Sequence, residues 1–323
     1  MKLLLWWAIL PALAQANVND IFAELFGRPD RGGVKAFYSL QQYETKGIKQ
    51  SPDKISLRQH RGEASVPLSA LSDKKWKLGF TANNDEIRSA ARFPNGKPLP
   101  NSLWQAGASV SHLRMLANDR TLGASFFAGS YSDQPFGAAR DLSFQGNLVY
   151  KIPGEDESAW LLFVNFSNTR GFLNYIPLPG AAYFFRAHPR LRLALGLPFV
   201  NVFWTPVDKL IVNLSYFPLY NAQAKVSYFF FGPAHAYVQA KYHSENYLLH
   251  DRRDKKERLF YEEALVNTGL MMPLERNILV DVTIGYAFDR KYFLGKSSSA
   301  RGDGQLRRPD HAPYASLKLI ASF

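Results

Sequence analysis

The chain has no cysteine among its 323 residues, which excludes disulfides and thiolate metal sites. After Ala16 it has no run of 18 or more apolar residues, so no transmembrane helix can be read from it. Long amphipathic helical patterns are missing too; the one short candidate is Asn19 to Phe26 (NDIFAELF). There is no G-x-S-x-G, no HExxH and no glycine-rich phosphate loop, so the common hydrolase and nucleotide signatures do not apply. Acids are few beside bases, 27 against 39, for a net charge of +12. Such basicity can mark a nucleic-acid partner, but the export signal and strand pattern described next argue for none. Nothing in the chain asks for a cofactor or a metal.

What is present begins at the N-terminus. Met1 to Ala16 (MKLLLWWAILPALAQA) has a lysine start, an apolar core from Leu3 to Leu10 and a small-x-small site at Ala14-Gln15-Ala16. This is the composition of a secretory signal peptide. We expect residues 1–16 to be removed, 17–32 to form a periplasmic segment with a short helix or plug, and 33–323 to form the folded body.

Along that body apolar and polar residues alternate with period two, the pattern of strands with one greasy face. Val34, Ala36, Tyr38 and Leu40 oppose Lys35, Phe37, Ser39 and Gln41. Trp76, Leu78 and Phe80 oppose Lys77, Gly79 and Thr81. Leu210, Val212 and Leu214 oppose Lys209 and Asn213, and Val226 and Tyr228 oppose Lys225 and Ser227. Ala236, Val238 and Ala240 oppose His235, Lys241 and His243, while Ile278 to Phe288 opposes Asn277, Asp281, Thr283 and Asp289. Aromatics reach 14%, and Trp76, Trp104, Trp160 and Trp204 all fall near expected strand ends, where an amphipathic ring suits a membrane interface.

The last eleven residues, PYASLKLIASF, alternate in the same way and end on Phe323. A chain that ends on such a strand, with an aromatic last, resembles the porin-like outer-membrane β-barrel proteins of Gram-negative bacteria. Ala321 stands where that family often has a second aromatic. The resemblance implies an all-β, antiparallel, up-and-down transmembrane barrel, an outer-membrane location, assembly by the barrel-insertion machinery, and Phe323 as the barrel-closing terminal residue. It implies no substrate.

Connections that alternate short and long give about 14 strands, with Asn168–Pro189 taken as one long connection and Arg190 to Trp204 as one strand. The apolar Phe172–Phe185 segment and residues 17–33 are candidate lumen plugs. The closing strand is expected against Val34–Tyr43, with Lys318 beside Lys35. The polar faces place Lys35, Lys77, Lys209, Lys225, Lys241, His243, Asp281 and Lys318 around the lumen. Ammonium groups in a confined pore attract anions, so the expected function is a pore or transporter for small polar or anionic solutes. Two alternatives stand beside it. One is a lipid hydrolase or deacylase using His235, His243, His60 or His112 with Ser227 or Ser244; the other is a non-conducting structural or adhesion barrel. The basic loops HDRRDKKER (250–258) and RGDGQLRRPD (301–310) suit lipopolysaccharide and other outer-membrane lipids, though solvated loop charge is the favoured explanation. The Arg301-Gly302-Asp303 triplet is turn chemistry.

Overall fold

A computed structural model describes residues 33–70, 74–217, 221–298 and 304–323. The proposed signal peptide, the segment 17–32 and the Arg301-Gly302-Asp303 triplet lie outside them. The elements, in order, are β1 (Lys35–Tyr43), β2 (Lys46–Gly47), β3 (Lys54–Ala70), β4 (Lys74–Arg88), β5 (Ser102–Met115) and β6 (Thr121–Ser132). They continue with β7 (Leu142–Pro153), β8 (Ala159–Ser167), β9 (Leu178–His188), β10 (Leu191–Leu197), β11 (Val200–Trp204) and β12 (Leu210–Phe217). The last six are β13 (Asn221–Phe231), β14 (Ala234–Tyr247), β15 (Arg258–Glu275), β16 (Ile278–Gly295), β17 (Leu306–Arg307) and β18 (Ala312–Ser322). Two one-turn 3₁₀ segments, Ala117–Asp119 and Ala139–Asp141, sit in connections.

Strands β2 and β17 are two-residue pieces inside long loops. The other sixteen form one closed antiparallel sheet in which each strand pairs with its neighbours in sequence. Closure is made by β1 against β18, in register from Lys35↔Ser322 to Tyr43↔Tyr314. A closed sheet has no edge with unpaired backbone groups, which is what lets strands cross a bilayer.

The alternation assigns the faces. Tyr38, Phe80, Phe126, Leu148, Val164, Val238, Ile284 and Leu319 point outward and are exposed. Their sequence neighbours point into the lumen, where Gln59, Thr81, Asn83, Asp85, Gln145, Asn213 and Asp281 are buried. Burial is inverted relative to a soluble sandwich: the apolar face is outside. Along the inner wall aromatic rings lie flat over glycines of the next strand, because only a residue without Cβ leaves room. Tyr237 covers Gly269, and Tyr314 covers Gly285.

Three expectations are corrected here. The barrel has sixteen strands, not about fourteen. The connection taken as Asn168–Pro189 is a loop of residues 168–177 followed by β9, and the single strand taken from Arg190 to Trp204 is the hairpin β10–β11. The apolar residues of β9 are therefore wall, with Tyr183 packed on the outward Trp160 (4.9 Å between ring centroids). Finally, Lys318 faces Ser39, while Lys35 faces Ser322. The first residue of β1 pairs with the last of β18, so the two lysines are offset along the seam.

Candidate functional site

The lumen has three chemically different regions. The first is a polar ladder running across β13, β14, β16, β18 and β1. Lys225 places its Nζ 3.7 Å from the centre of the Tyr237 ring. The Tyr237 hydroxyl donates to Asp281 Oδ1 (2.9 Å) and lies 2.7 Å from the Thr283 hydroxyl. Lys318 Nζ sits 4.0 Å over the Phe37 ring. Here strand register does the positioning: Asp281, Lys318, Ser39, Arg61 and Asn83 are successive cross-strand partners in one row around the barrel.

The second region fills the outer end of the same side. Arg61 bonds Asp85 and reaches Glu245 (3.3 Å). The Tyr247 hydroxyl donates to Glu245 (2.6 Å). Glu263 accepts from the hydroxyls of Tyr43 and Tyr261 (2.7 Å each), with His243 Nε2 3.3 Å away. Arg290 lies 4.8 Å over the Tyr43 ring. Around these groups Ile48, Ile55, Leu57, Ile87, Phe93, Leu99, Leu249 and Leu259 form an apolar core contributed by strand tops and by loops folded inward.

Those loops are tied across the mouth. The connection between β14 and β15 reaches the β6–β7 side of the barrel: Leu248 N–H donates to the Tyr131 carbonyl (2.7 Å), and His250 N–H donates to Asp133 Oδ1 (2.7 Å). Arg252 donates to Asp141 Oδ1 (2.8 Å), to the Leu249 carbonyl (2.7 Å) and to the Arg140 carbonyl. His250 Nδ1 is 2.6 Å from Asp141 Oδ2. Burial alone would raise the Asp141 carboxyl, but hydrogen bonds from His250 and Arg252 outweigh it and hold the group below its ordinary value. Residues 248–257 thus form a strap over the lumen.

The third region is apolar and lies on the inner wall of β7 to β12. Val149, Leu161, Ala182, Ala194 and Phe199 are buried together, with Phe163, Phe184 and Phe217 packed against them. Phe199 sits in the tight connection between β10 and β11, and its ring lies 6.0 Å from Phe163 and 6.3 Å from Phe184. Beside it Leu197 is 80% exposed on the outer face. These strands are short: β10 has seven residues, β11 five and β12 eight, whereas β15 and β16 have eighteen each. A tilted strand needs roughly 9 to 11 residues to span the hydrocarbon. The wall is therefore low over β10–β12, and the aromatic face of the lumen stands directly behind the low stretch.

Among the residues singled out from sequence, Lys35, Lys77, Lys225, Lys241, His243, Asp281 and Lys318 share the inward-facing parity of their strands. Lys209 lies in the turn before β12, with its Nζ 3.5 Å from the Phe230 carbonyl at the rim. Asp289 sits at a break in the β15–β16 register and pairs with Lys291 (2.6 Å). Trp76, Trp160 and Trp204 are outward and exposed at the short-turn end, Trp76 stacking on His112 (4.2 Å). Trp104 is outward near the long-loop end. Phe323 follows β18, its N–H bonded to the Val34 carbonyl (2.8 Å). Arg61, Asp85, Glu245, Glu263 and Arg290 escaped the sequence reading. The signal was there for Asp85: the inward series Thr81, Asn83, Asp85, Ile87 keeps the period-two alternation to the end of β4.

A closed antiparallel barrel with an outward apolar band and a polar lumen defines the class: the chain is an outer-membrane β-barrel protein. No family model matches it, and no curated protein matches it. Solved structures similar to it include an outer membrane channel from Pseudomonas putida F1, with 10% identity over 90% of this chain and 96% of that one and a TM-score of 0.40. The toluene transporter TodX from Pseudomonas putida has 10% identity over 93% of both chains and a TM-score of 0.40. OmpT of Vibrio cholerae has 11% identity over 91% of this chain and 99% of that one, with a TM-score of 0.32. The solutes of those proteins do not transfer to this chain.

Proposed function

We propose that the protein is an outer-membrane channel for small solutes with a substantial apolar part. The observation that carries this reading is the low wall at β10–β12. Strand β11, five residues long, reaches only about 17 Å even fully extended, against a hydrocarbon core of about 30 Å. An apolar solute in the bilayer thereby gains a short path to the aromatic surface formed by Phe163, Phe184, Phe199 and Phe217. Pockets that hold small molecules are mostly apolar, with a few convergent polar groups; the Lys225–Tyr237–Asp281 ladder supplies those on the adjoining strands, beginning at β13 next to β12. The test is uptake of a radiolabelled small aromatic by cells whose outer membrane carries the protein. Uptake should rise over cells lacking it and fall with Phe184→Ser. Equal uptake with and without the protein sinks the proposal.

A second reading, a pore for polar or anionic solutes, is favoured by the inward lysines Lys225, Lys241 and Lys318. Its weakness is that their charges are already engaged: two lie over aromatic rings, and acids stand close by. A reversal potential in a salt gradient decides it, anion selectivity supporting the reading and cation selectivity removing it.

A further inference from the structure

Closure of the barrel decides which loops face each other across the mouth. In the ring of sixteen strands, which leaves out β2 and β17, β14 is the eighth strand on from β6. The loops that follow these two strands therefore stand at opposite ends of a diameter. The strap, residues 248–257, lies along it: Leu248 forms a bridge with Ser132, the last residue of β6. A second tie crosses the first. The chain leaving β16 meets the loop after β8, again eight strands away, where Ser298 N–H donates to the Gly171 carbonyl (3.0 Å). Arg258, buried at the start of β15, donates to the Asn168 carbonyl (2.9 Å) of the same loop. Beneath the crossing, Arg61 bonds Asp85 and reaches Glu245, and the Tyr247 hydroxyl lies 3.1 Å from Asp85 Oδ2, which joins β3 and β4 to β14 through the lumen. Ties on two diameters pass over the barrel axis and obstruct it.

The parts of this roof are not held alike. The loops 44–53 and 89–101 are anchored by Ile48, Phe93 and Leu99, all buried in the apolar core. Beyond Leu249 the strap has no such anchor: from His250 to Glu257 it reads HDRRDKKE, without one apolar side chain. Its docking rests on polar bonds, which water can replace, and not on apolar burial, which water opposes. The deep bonds all converge on Asp141, which is fully buried and engages both Arg252 and His250. The remaining ones lie nearer solvent, Lys97 with Glu257 (3.4 Å) and Asp251 (3.8 Å), and Lys296 with Asp254 (2.7 Å), where ion pairs contribute little. A segment held this way opens before the strands beneath it do.

We propose that the strap is a latched lid. Docked on Asp141, it shuts the outer mouth to water-borne ions, and release of the Arg252–Asp141 latch opens a path along the barrel axis. The lid acts whatever solute the barrel carries, because the low wall at β10–β12 is no part of it. The chain has no cysteine, so a disulfide lock can be added without background. Ser132→Cys with Leu248→Cys places thiols on the two bridged residues, and oxidation pins the strap across the mouth. Planar-bilayer recordings compare wild type, Arg252→Met, and Arg252→Met carrying both cysteines. Heat-modifiable gel mobility verifies that each barrel is folded, and intact mass verifies the disulfide. Wild type should be almost silent, and Arg252→Met should open about a hundredfold more often. The oxidised lock should return Arg252→Met to the wild-type trace, and reductant should restore the openings. The inference is overturned if wild type conducts as freely as Arg252→Met, or if the folded Arg252→Met barrel stays silent. Equal conductance of the oxidised and reduced lock overturns it too, because the strap would then not be the part that moves.

Discussion

Replacing Arg252 by methionine should release the strap from the barrel mouth. The side chain is buried and donates to Asp141 and to the carbonyls of Leu249 and Arg140. Methionine keeps the bulk and removes all of these bonds. It also leaves Asp141, fully buried, with His250 alone. Removing one member of a buried ion pair costs about 3–5 kcal/mol. The rim can hydrate, so the lower bound of about 3 kcal/mol applies here, or roughly a hundredfold in the ratio of open to docked strap. The readout is amide hydrogen exchange at Leu248 and His250, whose N–H groups bond to Tyr131 and Asp133 across the mouth. Their exchange should accelerate about a hundredfold through local opening, while amides in the middle of β15 and β16 keep their protection. If both strap amides exchange at the wild-type rate in the folded variant, the cross-mouth tie is not what holds the strap, and the reasoning fails.

The same tie gives a pH dependence. The Asp141 carboxyl is held below its ordinary value of 3.8, so its contribution is complete above that pH and is lost as the pH falls through the depressed value; spin-label distances between residues 137 and 253 should lengthen only under strongly acidic conditions. Gly269→Ala would force the Tyr237 ring off the neighbouring strand and break its bond to Asp281, costing about 1–3 kcal/mol; the temperature at which the folded gel band converts should drop, and in a Tyr237→Ala background the further drop should vanish. Lys225→Glu puts a carboxylate near Asp281 on the inner wall, and the reversal potential of any conducting state should move toward cation selectivity; an unmoved potential would mean that ions do not pass β13.

How far the sequence spoke depended on which force set each feature. Face assignment was legible because lipid outside and water inside impose strict alternation, and Lys225, Lys241, Asp281 and Lys318 fell on the inner face by parity alone. The strand count was not, because the missed strands do not look like spanning strands. Strands β10 and β11 are too short to cross a bilayer, and with Pro198 between them they read as one interrupted segment. The upper lumen was hidden for a different reason. Asp85, Glu245 and Glu263 come from strands that continue past the membrane into the rim, where polar residues appear on both faces and alternation fades. Their meeting is a matter of barrel closure, which brings β4 opposite β14 and has no local signature. The strap shows the same limit: Asp141 and Arg252 are joined across the mouth of the barrel by geometry that neither loop encodes alone.

The uneven height of the wall also acts on the membrane around it. Over β10–β12 the strands are shorter than the hydrocarbon is thick, and over β15 and β16 they are much longer. Mismatch of this kind is relieved by deforming lipid, at fractions of a kcal/mol per Å. The barrel therefore thins the bilayer on one flank and leaves it at full thickness on the other. A shallow depression in the outer leaflet follows the β10–β11 hairpin, with Leu197 at its edge. Lipids there are less ordered than elsewhere around the circumference, and two barrels meeting flank to flank at their low sides would share a single depression.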